Sequence, residues 1–139
     1  MIDTPQDHAE NTMLYIRETS KSVERAFEDV QAAVKQHGFG LLHYYDFRQT
    51  LHEKGFELAH ACLVLEVCNP AQAAEVLGRD MRLNMVLPCR LSIYEDGGKT
   101  FIGMLPPTAL LALISTDAAI AEAASGVVKT MQQIIDAAI

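Results

Sequence analysis

The segment from Glu57 to Cys68 constrains this chain more than any other, because its side chains alternate in character with a period of two. Ala59, Ala61, Leu63, Leu65 and Val67 fall on one side of an extended backbone. His60, Cys62, Val64, Glu66 and Cys68 fall on the other. A strand that is apolar on one face and mixed on the other belongs in an antiparallel sheet backed by helices on a single side. The strand runs directly into Asn69-Pro70. Asparagine can cap a helix, and proline suits the first helical position because the N–H it lacks has no intrahelical partner there. A strand-to-helix junction is therefore expected at Cys68–Pro70, with the helix over Pro70–Leu77 ending at Gly78.

The neighbouring segments fit the same architecture. Thr12–Glu18 is short and rich in strand formers, and predicts a first strand. Thr19, Ser20 and Ser22 can start a helix in which Val23, Phe27, Val30 and Val34 share one face, and His37-Gly38 closes it. Phe39–Asp46 reads as a second strand, and Phe47–Lys54 as a connecting loop or short helical turn before a long strand over Phe56–Cys68. Arg79–Leu87 is an irregular connection. Cys89–Glu95 and Lys99–Leu105 flank Asp96-Gly97-Gly98, residues that tolerate the positive φ of a hairpin turn. Pro106-Pro107 ends the sheet, and Thr108–Ile114 reads as a short helix. Asp117 caps a last helix whose apolar side carries Ile120, Ala124, Val127, Val128, Met131, Ile134 and Ile135. Gly126 lowers its stability by about 1 kcal/mol relative to alanine, and is expected to allow close packing there. The order is β-α-β-β-α-β-β-α-α, an α+β fold with a single antiparallel β-sheet and the helices packed on one face. Residues 1–11 are expected to be a flexible N-terminal tail and 12–139 a single domain.

Composition excludes several function classes. Lys plus Arg number 11 against 18 Asp plus Glu, a formal charge of −7. Nucleic-acid affinity comes largely from Lys and Arg displacing counterions, so no nucleic acid is expected as partner. The most apolar runs, Ala61–Leu65 and Ala109–Ile114, fall far short of the roughly 20 residues that span a bilayer, so no membrane role is expected. The first eleven residues lack the basic start and apolar stretch of a secretory signal. Three cysteines, an odd number, argue against a disulfide framework, and the expected location is cytoplasmic.

Cys68 and Cys89 are the sharpest candidates for chemistry, in Cys-Asn-Pro and Pro-Cys-Arg at element boundaries. A cysteine at the mouth of a helix feels the positive end of its dipole, which favours the nucleophilic thiolate, and Arg90 would add to that effect. Two thiols at neighbouring strand ends can form a reversible disulfide, carry a sulfane sulfur or hold a soft metal. Free cysteine is equally at home as a small core residue. His60 and Cys62, with His43 on an adjacent strand, carry metal-binding donors. His60 and Glu66 lie about 20 Å apart along a strand at roughly 3.3 Å per residue, so they cannot bind one ion. Tyr44, Tyr45, Tyr94, Phe47 and Phe101 either line a cavity between sheet and helices or fill the core. No phosphate loop, nucleophile elbow or His-Glu-x-x-His motif occurs, and nothing in the sequence names a cofactor.

The run Glu66-Val67-Cys68-Asn69-Pro70, followed by Leu87-Pro88-Cys89-Arg90, resembles the domain-of-unknown-function family 302. Gly38-Phe39, Lys54-Gly55 and the acidic hairpin Tyr94–Gly98 fit it too, and the resemblance extends from Leu14 to Ile135. It implies a TATA-binding-protein-like α+β fold, often dimeric, and no reaction. The expected function is a non-catalytic homodimeric domain that binds a small ligand or a partner, with Cys68, Asn69, Cys89 and Arg90 as candidate site residues. The alternative is a thiol-based redox, sulfur-carrier or soft-metal protein using Cys68 and Cys89.

Overall fold

Five strands form one antiparallel sheet in the order β1-β5-β4-β3-β2 in the computed structural model, which describes residues 13–139. They are β1 (Tyr15–Thr19), β2 (Gly40–Asp46), β3 (Cys62–Cys68), β4 (Cys89–Asp96) and β5 (Lys99–Met104). The helices are α1 (Val23–Gln36), α2 (Phe47–Glu53), α3 (Pro70–Arg79), α4 (Pro107–Ala112) and α5 (Ala118–Ala138), with a 3-10 turn over Met81–Val86. The expected tail over residues 1–11, and Thr12 of the expected first strand, lie outside the described residues.

The alternation in β3 sets the sheet's inner face. Leu63, Leu65 and Val67 are buried and stand opposite Ile93, Leu91 and Cys89 of β4. Ile93 in turn faces Ile102 of β5. Helix α1 lays Val30 and Val34 on this surface, and the second half of α5 adds Met131, Ile134 and Ile135. Both long helices thus cover one side, as the apolar stripes require. The caps form where the sequence offers them. Ser22 Oγ accepts from Arg25 N at 3.1 Å, Asn69 Oδ1 from Gln72 N at 3.2 Å and Asp117 Oδ1 from Ala119 N at 2.8 Å. Gly97 and Gly98, at φ 58° and 77°, make the two-residue hairpin turn between β4 and β5.

Three expectations need correction. The long strand over Phe56–Cys68 shortens to Cys62–Cys68, because its neighbours run out. Strand β2 ends opposite Leu63, and β4 turns into its hairpin just past Glu95. Ala61 is the last residue held, its carbonyl accepting from Glu95 N and its N–H donating to Glu95 Oε1, both at 3.0 Å. Next, of the loop or short helical turn expected over Phe47–Lys54 the helical form is found, over Phe47–Glu53, started by Asp46, whose side chain accepts from Gln49 N at 3.0 Å. The element order therefore gains a helix between β2 and β3. Finally, Gly126 is exposed and a Cβ built on it meets nothing within 4 Å, so close packing does not explain it.

A second hydrophobic cluster lies under the first half of α5, where Ile120 and Ala124 meet Val76 of α3, Leu83 of the 3-10 turn and Leu111 of α4. One helix therefore serves two cores, and the two meet at its middle.

Candidate functional site

A cavity of about 300 Å³ lies along the seam between the two hydrophobic clusters. Val67 and Cys89 at the ends of β3 and β4 form one wall, while Val76, Leu111 and Val127 close it from α3, α4 and α5. The sequence builds this geometry through the junction at Asn69-Pro70. The cap starts α3 immediately after β3, so the helix leaves the sheet end with Gln72 and Val76 one turn apart on the same side. After the 3-10 turn, the chain re-enters the sheet at Cys89 through a cis Leu87–Pro88 peptide.

The lining is chemically simple. Among the described residues no Asp, Glu, Lys, Arg or His lines it, and its polar groups are the amides of Asn69, Gln72 and Asn84 and the thiols of Cys68 and Cys89. Asn69 spends its side-chain oxygen on the helix cap, and the Asn84 side-chain amide donates to the Met81 carbonyl. The Gln72 Oε1 atom is buried and has no hydrogen-bond partner among the described residues.

Three of the residues singled out from sequence meet here: Cys68, Asn69 and Cys89. Val67 stands opposite Cys89, so Cys68 is one residue out of step with it, and all three cysteines are free thiols. Burial pushes the Cys89 thiol up to about 11, with a smaller push from Cys68 beside it. Cys89 is therefore a protonated, weakly nucleophilic thiol at neutral pH. Arg90 does not line the cavity; it faces Glu66 across the strands, exposed, beside a separate hollow of about 320 Å³ that also touches Met85 and Ser92.

The metal-donor residues are not brought together. His43 stands opposite Glu66 and Cys62 opposite Tyr94, while His60 precedes the strand and is exposed. No group of three or more His, Cys, Asp or Glu among the described residues is placed to hold a metal ion. Burial, and then Asp46, raises the Cys62 thiol's pKa. Tyr44, Tyr45, Tyr94, Phe47 and Phe101, read as either cavity lining or core, do not line this cavity. Tyr45 stacks near Phe47 and donates to Glu66 Oε1 at 3.2 Å, and Tyr94 stacks on Phe101 at 5.5 Å. Gln72 and Asn84 were not legible as site residues. The only sequence signal for Gln72 is its four-residue step to Val76 on a capped helix.

The family model described as "Domain of unknown function DUF302" matches residues 15–138. The crystal structure of an uncharacterized conserved protein DUF302 from Bacillus stearothermophilus is similar to this chain at a TM-score of 0.87 and 32% identity, covering 93% of this chain and 100% of that one. No curated protein matches the sequence.

Proposed function

The chain belongs to the DUF302 family, and on that footing we propose that it is a non-catalytic binding domain whose cavity holds a small, uncharged, largely apolar molecule. The observation that carries this reading is the cavity of about 300 Å³ with an apolar lining and no charged side chain among the described residues. Ligand sites are typically mostly apolar with a few placed polar groups, and this volume suits a small ligand. A charged ligand would leave water without an opposite charge to meet it, which is strongly unfavourable.

Magnitudes set the expected affinity. An aromatic ring system buries about 150–250 Å², which at about 25 cal/mol per Å² stabilises a complex by about 4–6 kcal/mol. Lost translational and rotational freedom removes at least about 4 kcal/mol of that. A bare ring therefore keeps at most about 2 kcal/mol, a Kd no tighter than about 30 mM, and a tighter natural ligand uses the wall's polar groups. Titration of methyl-labelled protein with indole, followed by NMR, tests the reading. The methyls of Val67, Val76, Leu111 and Val127 are expected to shift together; shifts confined to other residues, or none, would refute it.

Cys68 and Cys89 both line the cavity, but the buried, protonated Cys89 opposes thiolate chemistry at that position. Both cysteines serve as wall residues. Free thiols suit a reducing compartment, and a cytoplasmic location goes with the proposal. No helix among the described residues is long and apolar enough to cross a membrane.

The domain is further proposed to act as a homodimer joined along β2. This strand is a sheet edge, exposed along nearly its whole length, with Leu42 62% and Tyr44 44% exposed. Asp46 is its only carboxylate, and it carries no Lys, Arg or Pro to block pairing. The opposite edge, β1, carries Arg17 and Glu18. An antiparallel pair of identical strands is its own two-fold mate, so a second copy is the natural occupant.

A further inference from the structure

We infer that the hollow beside Arg90 is a second ligand site, which takes a small carboxylate carried on an apolar body. It goes beyond the binding proposal above and does not depend on it, because the two spaces differ in chemistry. Arg90 and Ser92 lie two residues apart on β4, so they share its outer face, away from the buried Leu91 and Ile93. Pairing of β4 with β5 begins at Ser92, opposite Gly103. Past Met104 the chain leaves the sheet through Pro106-Pro107. The hollow of about 320 Å³ lies at this divergence, lined by Arg90 and Ser92 together with Met85, Leu105 and Leu110.

Arg90 is the one charged residue on this lining among the described residues. Its side chain has no hydrogen-bond or ion-pair partner there, and neither has that of Ser92. Glu66 stands opposite Arg90 but does not line the hollow, and its Oε1 accepts from Tyr45 of β2 at 3.2 Å. A guanidinium on a long, unengaged side chain can turn to a group held in the hollow its residue lines. Its planar fork of donors matches a carboxylate, and the Ser92 hydroxyl adds one more donor. The rest of the wall calls for an apolar body: Met85 is 71% and Leu105 39% exposed, large hydrophobic surfaces left in water beside a free cation. A phosphate, with more oxygens and a second charge, finds too few donors here. The chain's formal charge of −7 repels anions at long range. Physiological salt screens that repulsion beyond about 8 Å, so the groups on the hollow decide.

Sodium benzoate and benzamide test the site on the full chain, since they are close in shape and differ in charge. Each is titrated at constant ionic strength and followed by methyl NMR. Benzoate is expected to shift Met85, Leu105 and Leu110 together and to bind about tenfold tighter than benzamide. That factor is the low end for a hydrogen bond to a charged group, because Arg90 is exposed. Arg90→Gln and Arg90→Met should each bring benzoate down to the level of benzamide. Both should leave benzamide binding and the unfolding midpoint unchanged, since an exposed side chain without partners is removed. Equal affinity of the two probes for wild type, or full benzoate affinity in either folded variant, would overturn the inference. So would benzoate shifts confined to Val76 and Val127 of the first cavity, or no shifts at all.

Discussion

Burial at the start of β4 raises the Cys89 thiol from the ordinary value of 9.0 to about 11. In the unfolded chain the same thiol loses its proton near 9, so between about 9 and about 11 the folded state binds more protons. The associated stability is present in full below about 9 and is lost as pH rises towards about 11. Urea unfolding across that range should show the midpoint falling with pH. The fall should be shallower in Cys89→Val, whose side chain does not titrate. Equal slopes would mean that Cys89 is not held protonated. Cys68 and Cys89 stood out in the sequence because each lies within two residues of a proline, and both line the cavity. What the sequence could not carry is the environment: desolvation comes from residues far along the chain.

Periodicity made some elements readable and hid others. Leu63, Leu65 and Val67 were legible as an inner face because the pleat turns every second side chain the same way. The start of that strand was not, because it depends on where β2 and β4 stop. Helix α2 has no buried residue, so it imprints no apolar period on Phe47–Glu53; the readable signal was Asp46 as a cap. Helix α5 supports a direct test. Gly126 sits exposed in its interior, with open space where a Cβ would go. Gly126→Ala is expected to stabilise the protein by about 1 kcal/mol, read from the urea midpoint at unchanged slope. Destabilisation would show that the helix there needs the glycine backbone.

At the scale of the whole molecule, two clusters share α5, and the hollow lies where they meet. Val67, Val76, Leu111 and Val127 come from four separate elements. Hydrophobic patterning marks most of them as core, but it carries no information on whether the clusters close the space between them. Of the aromatic residues that could have lined a cavity or filled the core, Tyr44 and Tyr45 do neither, since β2 is a sheet edge and leaves both rings exposed. That edge is also where a second copy should pair. Each chain carries a formal charge of −7, so approach of two copies is resisted at low salt. Sedimentation should show a dimer whose population grows as salt screens that repulsion. His43→Lys, which places a charge in the middle of β2, should shift it to monomer. A monomer at every salt concentration, or a dimer indifferent to the lysine, would exclude β2 as the contact.

The hollow itself is tested most directly by the indole titration run on wild type and Ala73→Leu in parallel. Ala73 lines the cavity, and a leucine there would fill the space without adding charge. Wild type should bind, with shifts at Val67, Val76, Leu111 and Val127; the filled variant should stay folded and lose those shifts. Equal binding by a folded Ala73→Leu protein would contradict the account.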